Sequence, residues 1–293
     1  MNAIDGKNRP AAPLLQRIPP HAFFVGSAIF HYLGPSFAVL LFARVPVAGV
    51  AWLRIVSAAV VFAVWRRPWR AFLAAASHTR WMIVALGAVF AVMNYCFYRA
   101  IAELPLGTVA AIEFMGPVAL ALAGARSQRN MMALALTVAG VYMLTHVRLA
   151  GTPLAFAWAF ANAVLFTLYI VLAHGVARAD PATSPIDRLG ASMMLAGVII
   201  SPLGFRDAVP ALLDPITLCA GVAVGISSSV IPYVFDQLAM SRLPRSTYAL
   251  FVALLPATAV IIGVIVLGQI PTFFENVGVG LVAAGVALHR PAP

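Results

Sequence analysis

Long unbroken apolar runs, separated by short segments that hold nearly all of the charge, organise this chain. A helix needs about 20 apolar residues to cross the hydrocarbon layer, with roughly 17–25 as the usual range. Ten stretches qualify: 21–42, 47–65, 81–103, 105–124, 130–146, 153–175, 188–205, 215–240, 245–268 and 272–289. The runs are continuously apolar rather than alternating, which excludes barrel strands. Backbone groups in lipid must be satisfied within the segment, so helices are expected. The pattern predicts an all-α integral membrane protein with ten transmembrane helices.

Composition agrees with that pattern. The 293 residues are 62% hydrophobic and 10% charged, with a mean hydropathy of +0.96, whereas soluble domains carry about 25% charged residues. A net charge of +10 would suggest nucleic acid in a soluble protein. Here the arginines sit between apolar runs, so the membrane explanation wins and no nucleic-acid partner is expected. With the N-terminus cytoplasmic, fourteen Lys and Arg fall on inner segments and four on outer ones (Arg44, Arg99, Arg148, Arg206), with Arg54 inside the second span. That bias predicts a cytoplasmic N-terminal segment (1–20) and a cytoplasmic tail (290–293). The first apolar run is too long for a signal-peptide core and no clear cleavage site precedes the next span, so it reads as a retained span. Cys96 and Cys219 both fall in apolar runs, with neither disulfide nor metal-ligand spacing. One lysine against eighteen arginines, with abundant alanine, suggests a GC-rich bacterial genome, and with the apolar spans the expected location is the bacterial inner membrane.

A weak internal repeat divides the spans. Leu104-Pro105 and Pro117 recur as Leu243-Pro244 and Pro256 at an offset of 139, where Ala100 and Ala110 meet Ala239 and Ala249. Ala139-Gly140-Val141 returns as Ala284-Gly285-Val286 after a short insertion around 269–274. The matches pair span 4 with span 9 and span 5 with span 10, giving two five-helix repeats, 21–146 and 153–289. An odd number of crossings turns the second repeat upside down. Inverted repeats of this kind are typical of secondary transporters, with substrate bound between the halves.

Few polar groups lie inside the spans, and such groups are functional or paired by default. Arg54 lies roughly 10 Å from the outer end of span 2, and Glu113, in "AAIEFMGP", roughly 12 Å from the outer end of span 4. Asn94 and Asn162 fall at comparable depth, roughly 13–15 Å. Four polar residues on four spans therefore share one layer. Pro117 has no N–H for the carbonyl of residue 113, Pro35 none for His31 and Pro232 none for Ser228. Pro256 repeats Pro117 in the second half, so these four prolines are candidate helix kinks. Two readings of Glu113 stand open: a site for a substrate ammonium or a proton, and a buried ion pair with Arg54. They are compatible if substrate breaks the pair. Tyr95 and Tyr98 beside Asn94, and Trp158 one turn before Asn162, either line a cavity as cation–π partners or simply pack. Asp236, near the inner end of span 8, either functions or snorkels to the surface. His31 either carries protons or packs as a hydrogen-bonded residue.

No H-E-x-x-H, G-x-S-x-G, phosphate loop or Cys–His cluster is present, so no enzyme, metal or cofactor is expected. A membrane enzyme using Glu113 is the reading outside transport. The segments "MNYCFYRAIAELPLGTVAAIEFMGPVALAL" (93–122), "IPYVFDQLAMSRLPRSTYALFVALLPA" (231–257) and "WLRIVSAA" (52–59) resemble the drug/metabolite transporter superfamily in its EamA branch, and within it the bacterial threonine/homoserine exporters. The resemblance matches the family's glutamate to Glu113 and puts Asp236 where its span 8 motif has a glutamate. It implies export of small amino acids, threonine or homoserine, driven by the proton gradient. The matched depth of Arg54 and Glu113 adds an expectation of alternating access by a monomer or homodimer, with the substrate carboxylate near Arg54 or an asparagine and its ammonium near Glu113 and the tyrosines. A drug or toxic-cation exporter of the same fold is the alternative.

Overall fold

The computed structural model describes residues 19–116, 127–147, 151–179, 183–240 and 255–288. Among them there are helices and no strands. In chain order they are α1 (Pro20–Leu41), α2 (Val47–Arg66), the short α3 (Trp69–Ala74), α4 (Ser77–Ile101), α5 (Leu106–Glu113), α6 (Gln128–Val147), α7 (Pro153–Arg178) and α8 (Pro185–Leu213). After these come α9 (Pro215–Gly225), which runs through a π-helical turn (Ile226–Val230) into α10 (Ile231–Met240), then α11 (Leu255–Leu267) and α12 (Phe273–Leu288).

Six segments are long and apolar enough to cross a membrane: 22–41, 47–66, 77–101, 153–173, 185–213 and the 215–236 run through the π turn. Helices α11 and α12 are apolar but shorter. Residues 117–126 and 241–254, including Pro117 and the kink expected there, lie outside the described residues, so the fourth and ninth expected spans are described only in part. Pro256 is the second residue of the described α11, and any kink toward its N-terminal side is likewise outside them. One boundary differs from the hydropathy pattern. Expected span 7 stops at residue 205, but α8 continues past Arg206 and Asp207 to Leu213, because backbone hydrogen bonding there does not depend on apolar side chains. A second difference is α3, too short for a hydropathy window. Arg80 holds its C-terminal end by donating to the carbonyls of Phe72 (3.1 Å) and Leu73 (2.6 Å).

Local chemistry sets the helix ends. Proline opens α1, α7, α8 and α9, where its missing N–H costs nothing. Thr152 caps α7 by accepting from Ala155 N, and Asp214 caps α9 by accepting from the N–H groups of Ile216 and Thr217. A capping box opens α12: Thr272 N donates to Glu275 Oε2 (2.7 Å) and Glu275 N to Thr272 Oγ1 (3.3 Å).

Small residues set the packing. In lipid, helices associate through close backbone contact rather than through hydrophobic exclusion of water. Helices α2 and α8 meet through Gly49 and Gly204, and a Cβ on Gly49 would stand 2.6 Å from the Asp207 carbonyl oxygen. Helices α6 and α12 meet through Gly140 and Gly285, where a Cβ on Gly140 would stand 2.5 Å from the Gly278 carbonyl. Helix α1 packs on α10, α11 and the π turn, α4 on α7 and α8, and α5 on α7 and α11. Large apolar side chains cover the outside: Val164, Val198 and Ile265 are each about 70% exposed (69%, 70% and 72%). A surface so apolar belongs against hydrocarbon.

Gly49→Leu is expected to destabilise the protein by about 1–3 kcal/mol, because the neighbour it meets is rigid backbone. Val198→Leu on the outer surface should stay within about 0.5 kcal/mol. Thermal unfolding in detergent compares the two.

Candidate functional site

The site begins with a proline. Pro232 cannot donate to the carbonyl one turn earlier, on Ser228. That carbonyl instead accepts from Arg54 Nη2 at 3.1 Å, and Arg54 Nε donates to Ser229 Oγ at 3.0 Å. Both acceptors lie in the π turn, an element often found at functional sites. The Tyr98 ring completes the seat, its centroid 5.3 Å from the guanidinium carbon. Arg54 is 5% exposed, so its charge is fixed within the protein.

Arg54 opens onto a cavity enclosed by six helices. It is lined by His31, Tyr32 and Pro35 from α1, Arg54 from α2, Met93, Asn94 and Phe97 from α4, Glu113 from α5, Asn162 and Phe166 from α7, and Tyr233 from α10. The four polar residues expected at one depth thus share a single chamber, with His31 and Pro35. Its volume is about 30 Å³, room for about two water molecules at roughly 10–15 Å³ each.

Glu113 is the last residue of α5, and regular helix gives way at Phe114. Among the described residues no ion pair within 4.0 Å joins its carboxylate to Arg54; the pair recorded is Arg66–Asp187, at 2.6 Å between α2 and α8. Asn162 lines the same chamber as Glu113, and neither its Nδ2 nor its Oδ1 completes a hydrogen bond among the described residues. Asn94 differs, since its Nδ2 already donates to Phe90 O at 2.8 Å.

Other expected residues stand outside the lining. Tyr98 acts from beneath Arg54, with its own hydroxyl buried and unpaired. Tyr95 and Trp158 pack edge to face at 5.9 Å and do not line the chamber. Asp236, one turn beyond Tyr233, accepts from Ser27 Oγ at 2.6 Å and so ties α10 to α1. The Pro232 carbonyl accepts from the same hydroxyl at 3.2 Å. Tyr32, Met93, Phe97, Phe166 and Tyr233 were not singled out from sequence, because apolar and aromatic residues carry no contrast inside an apolar run. Ser228 and Ser229 had a legible signal: three consecutive serines, "ISSSV", just before a proline inside a span.

Comparison with known proteins adds the family. The model of the EamA-like transporter family matches residues 153–289. Threonine/homoserine exporter RhtA of Escherichia coli K12 is 32% identical over 259 residues, covering 86% of this chain and 84% of the exporter. Its counterpart in Salmonella typhimurium LT2 is 33% identical over 244 residues, covering 80% and 79%. A solved crystal structure aligns with a TM-score of 0.55 and 19% identity over 92% of this chain and 96% of its own, which shows a shared fold. Apolar helices long enough to span, an apolar outer surface and relatives matched along most of their length lead to one conclusion: the chain is a multi-pass membrane protein that belongs to the EamA-like transporter family.

Proposed function

We propose that this protein exports small zwitterionic amino acids, of the threonine and homoserine kind, across the bacterial inner membrane by proton antiport. The observation that carries the reading is a buried cation and a carboxylate that line one chamber without pairing with each other. Uncompensated buried charges cost several kcal/mol each. A zwitterion would supply the missing partner to both. Two of the five guanidinium N–H groups of Arg54 are engaged by Ser228 and Ser229, and others remain for a substrate carboxylate. Glu113 takes the ammonium. One carboxylate holds either a proton or an ammonium, so the two compete, and antiport needs no second site. The fixed charge of Arg54 disfavours the drug-cation reading.

Alternating access has support in the packing. Numbering the expected spans 1–10 and exchanging 1–5 with 6–10 maps the α2–α8 and α6–α12 contacts onto themselves. The same exchange turns α4–α7 into α1–α10, and α5–α7 into α1–α11, all of which occur. An in-plane two-fold axis of inverted repeats requires that pattern. The charge bias favours cytoplasmic termini. A chamber of about 30 Å³ is too tight for an amino acid, so substrate entry requires the helices around it to move apart.

Glu113→Gln should lower proton-gradient-driven threonine transport in reconstituted vesicles roughly 10- to 100-fold, the worth of a charge-assisted hydrogen bond. Transport at the wild-type rate would contradict the proposal. Exchanging Arg54 and Glu113 separates binding from a purely structural pair. The account expects the exchanged protein to fail in transport even where its thermal stability is recovered, whereas a structural pair would restore both.

A further inference from the structure

The charged ends of a zwitterion leave a fully buried amide in the chamber without a task. Asn162 is fully buried, lines the cavity, and has both amide atoms unpaired. On the same helix the Thr167 hydroxyl is satisfied by the Ala163 carbonyl at 2.9 Å, while the buried indole N–H of Trp158 is also unpaired but lies outside the lining. The other lining amide, Asn94, has its nitrogen engaged. Even if Nδ2 of Asn162 turned fully onto Glu113, Oδ1 would still lack a donor. A buried amide with both atoms open to the chamber can take a donor and an acceptor from a ligand.

We infer that Asn162 is a specificity-determining residue that reads a hydroxyl on the substrate's side chain. This rests on the zwitterion reading above, in which Arg54 takes the carboxylate and Glu113 the ammonium. An ammonium only donates and a carboxylate only accepts, whereas a hydroxyl does both and matches a primary amide on its two atoms. Phe97, Phe166 and Met93 line the same chamber and give the rest of the side chain an apolar surround. An alkyl isostere fills the same volume but strands both amide atoms. Sites built to bind a hydroxyl reject its isostere far more strongly than apolar pockets resolve a methylene.

Threonine and valine are isosteres that differ by hydroxyl against methyl, so counterflow in reconstituted vesicles tests the inference. Wild type should favour threonine over valine by at least about 100-fold. In Asn162→Leu the ratio should fall below about tenfold, through loss of threonine transport with valine transport kept or raised. Equal loss of both substrates would overturn the inference, because the amide would then serve the shared ammonium or the fold. An unchanged ratio would overturn it too. If Asn162→Leu does not fold, Asn162→Ala takes its place. If neither variant folds, the wild-type ratio decides, and a value under tenfold overturns the inference. The outcomes separate from failure of the underlying reading. Wild type that moves both amino acids alike loses the Asn162 role but keeps the exporter, while wild type that moves neither, with or without a proton gradient, loses the exporter itself.

Discussion

The hydrogen bond from Arg54 to the Ser228 carbonyl is the contact on which the chamber depends. Hydrocarbon offers no water to an open carbonyl, and Pro232 leaves one open. A guanidinium satisfies it, and the same contact carries a positive charge deep into the helix bundle. Ser229 and the Tyr98 ring then fix the orientation of that charge. Because Arg54 is held from the π-turn side, it faces Glu113 across the cavity instead of collapsing onto it. A direct pair would neutralise both groups and leave a static core; under the proposal, their separation leaves the cation for a substrate carboxylate and the Glu113 carboxyl for either a proton or an ammonium.

The chamber also joins the two halves of the chain. Arg54, Asn94 and Glu113 come from the first half, Asn162, Phe166 and Tyr233 from the second. The contacts that cross between the halves are those of Asn162, Phe166 and Tyr233 with the residues of the first half. On the α1–α10 seam, Ser27 and Asp236 hold the helices together beside the lining Tyr233. Such a contact can break and reform as the seam opens, while the glycine-lined α2–α8 and α6–α12 pairs resist separation because backbone meets backbone.

Much of this was legible in the sequence, for reasons that differ by residue. Apolar runs announce spans, since membrane thickness fixes their length. Arg54, Asn94, Glu113 and Asn162 stood out because polar groups are rare in such runs, and equal depth along four helices brought them together. Depth does not give azimuth, however. Tyr95 and Trp158 shared the right layer but face each other, whereas Tyr233 and Phe166 line the chamber with nothing in their chemistry to mark them. Asp236 was visible as a charge, but its bond to Ser27, 209 residues away, depends on how α1 crosses α10. The α8 boundary was missed because hydropathy ended where the helix did not.

The central claim is that proton and substrate share one carboxylate, and proton release on binding tests it most directly. Purified protein in weakly buffered detergent, with a pH indicator, is mixed with threonine at a pH where Glu113 begins protonated. The account predicts about one proton released per threonine bound, and none from Glu113→Gln. Threonine binding to wild type without proton release, or equal release from Glu113→Gln, would contradict it.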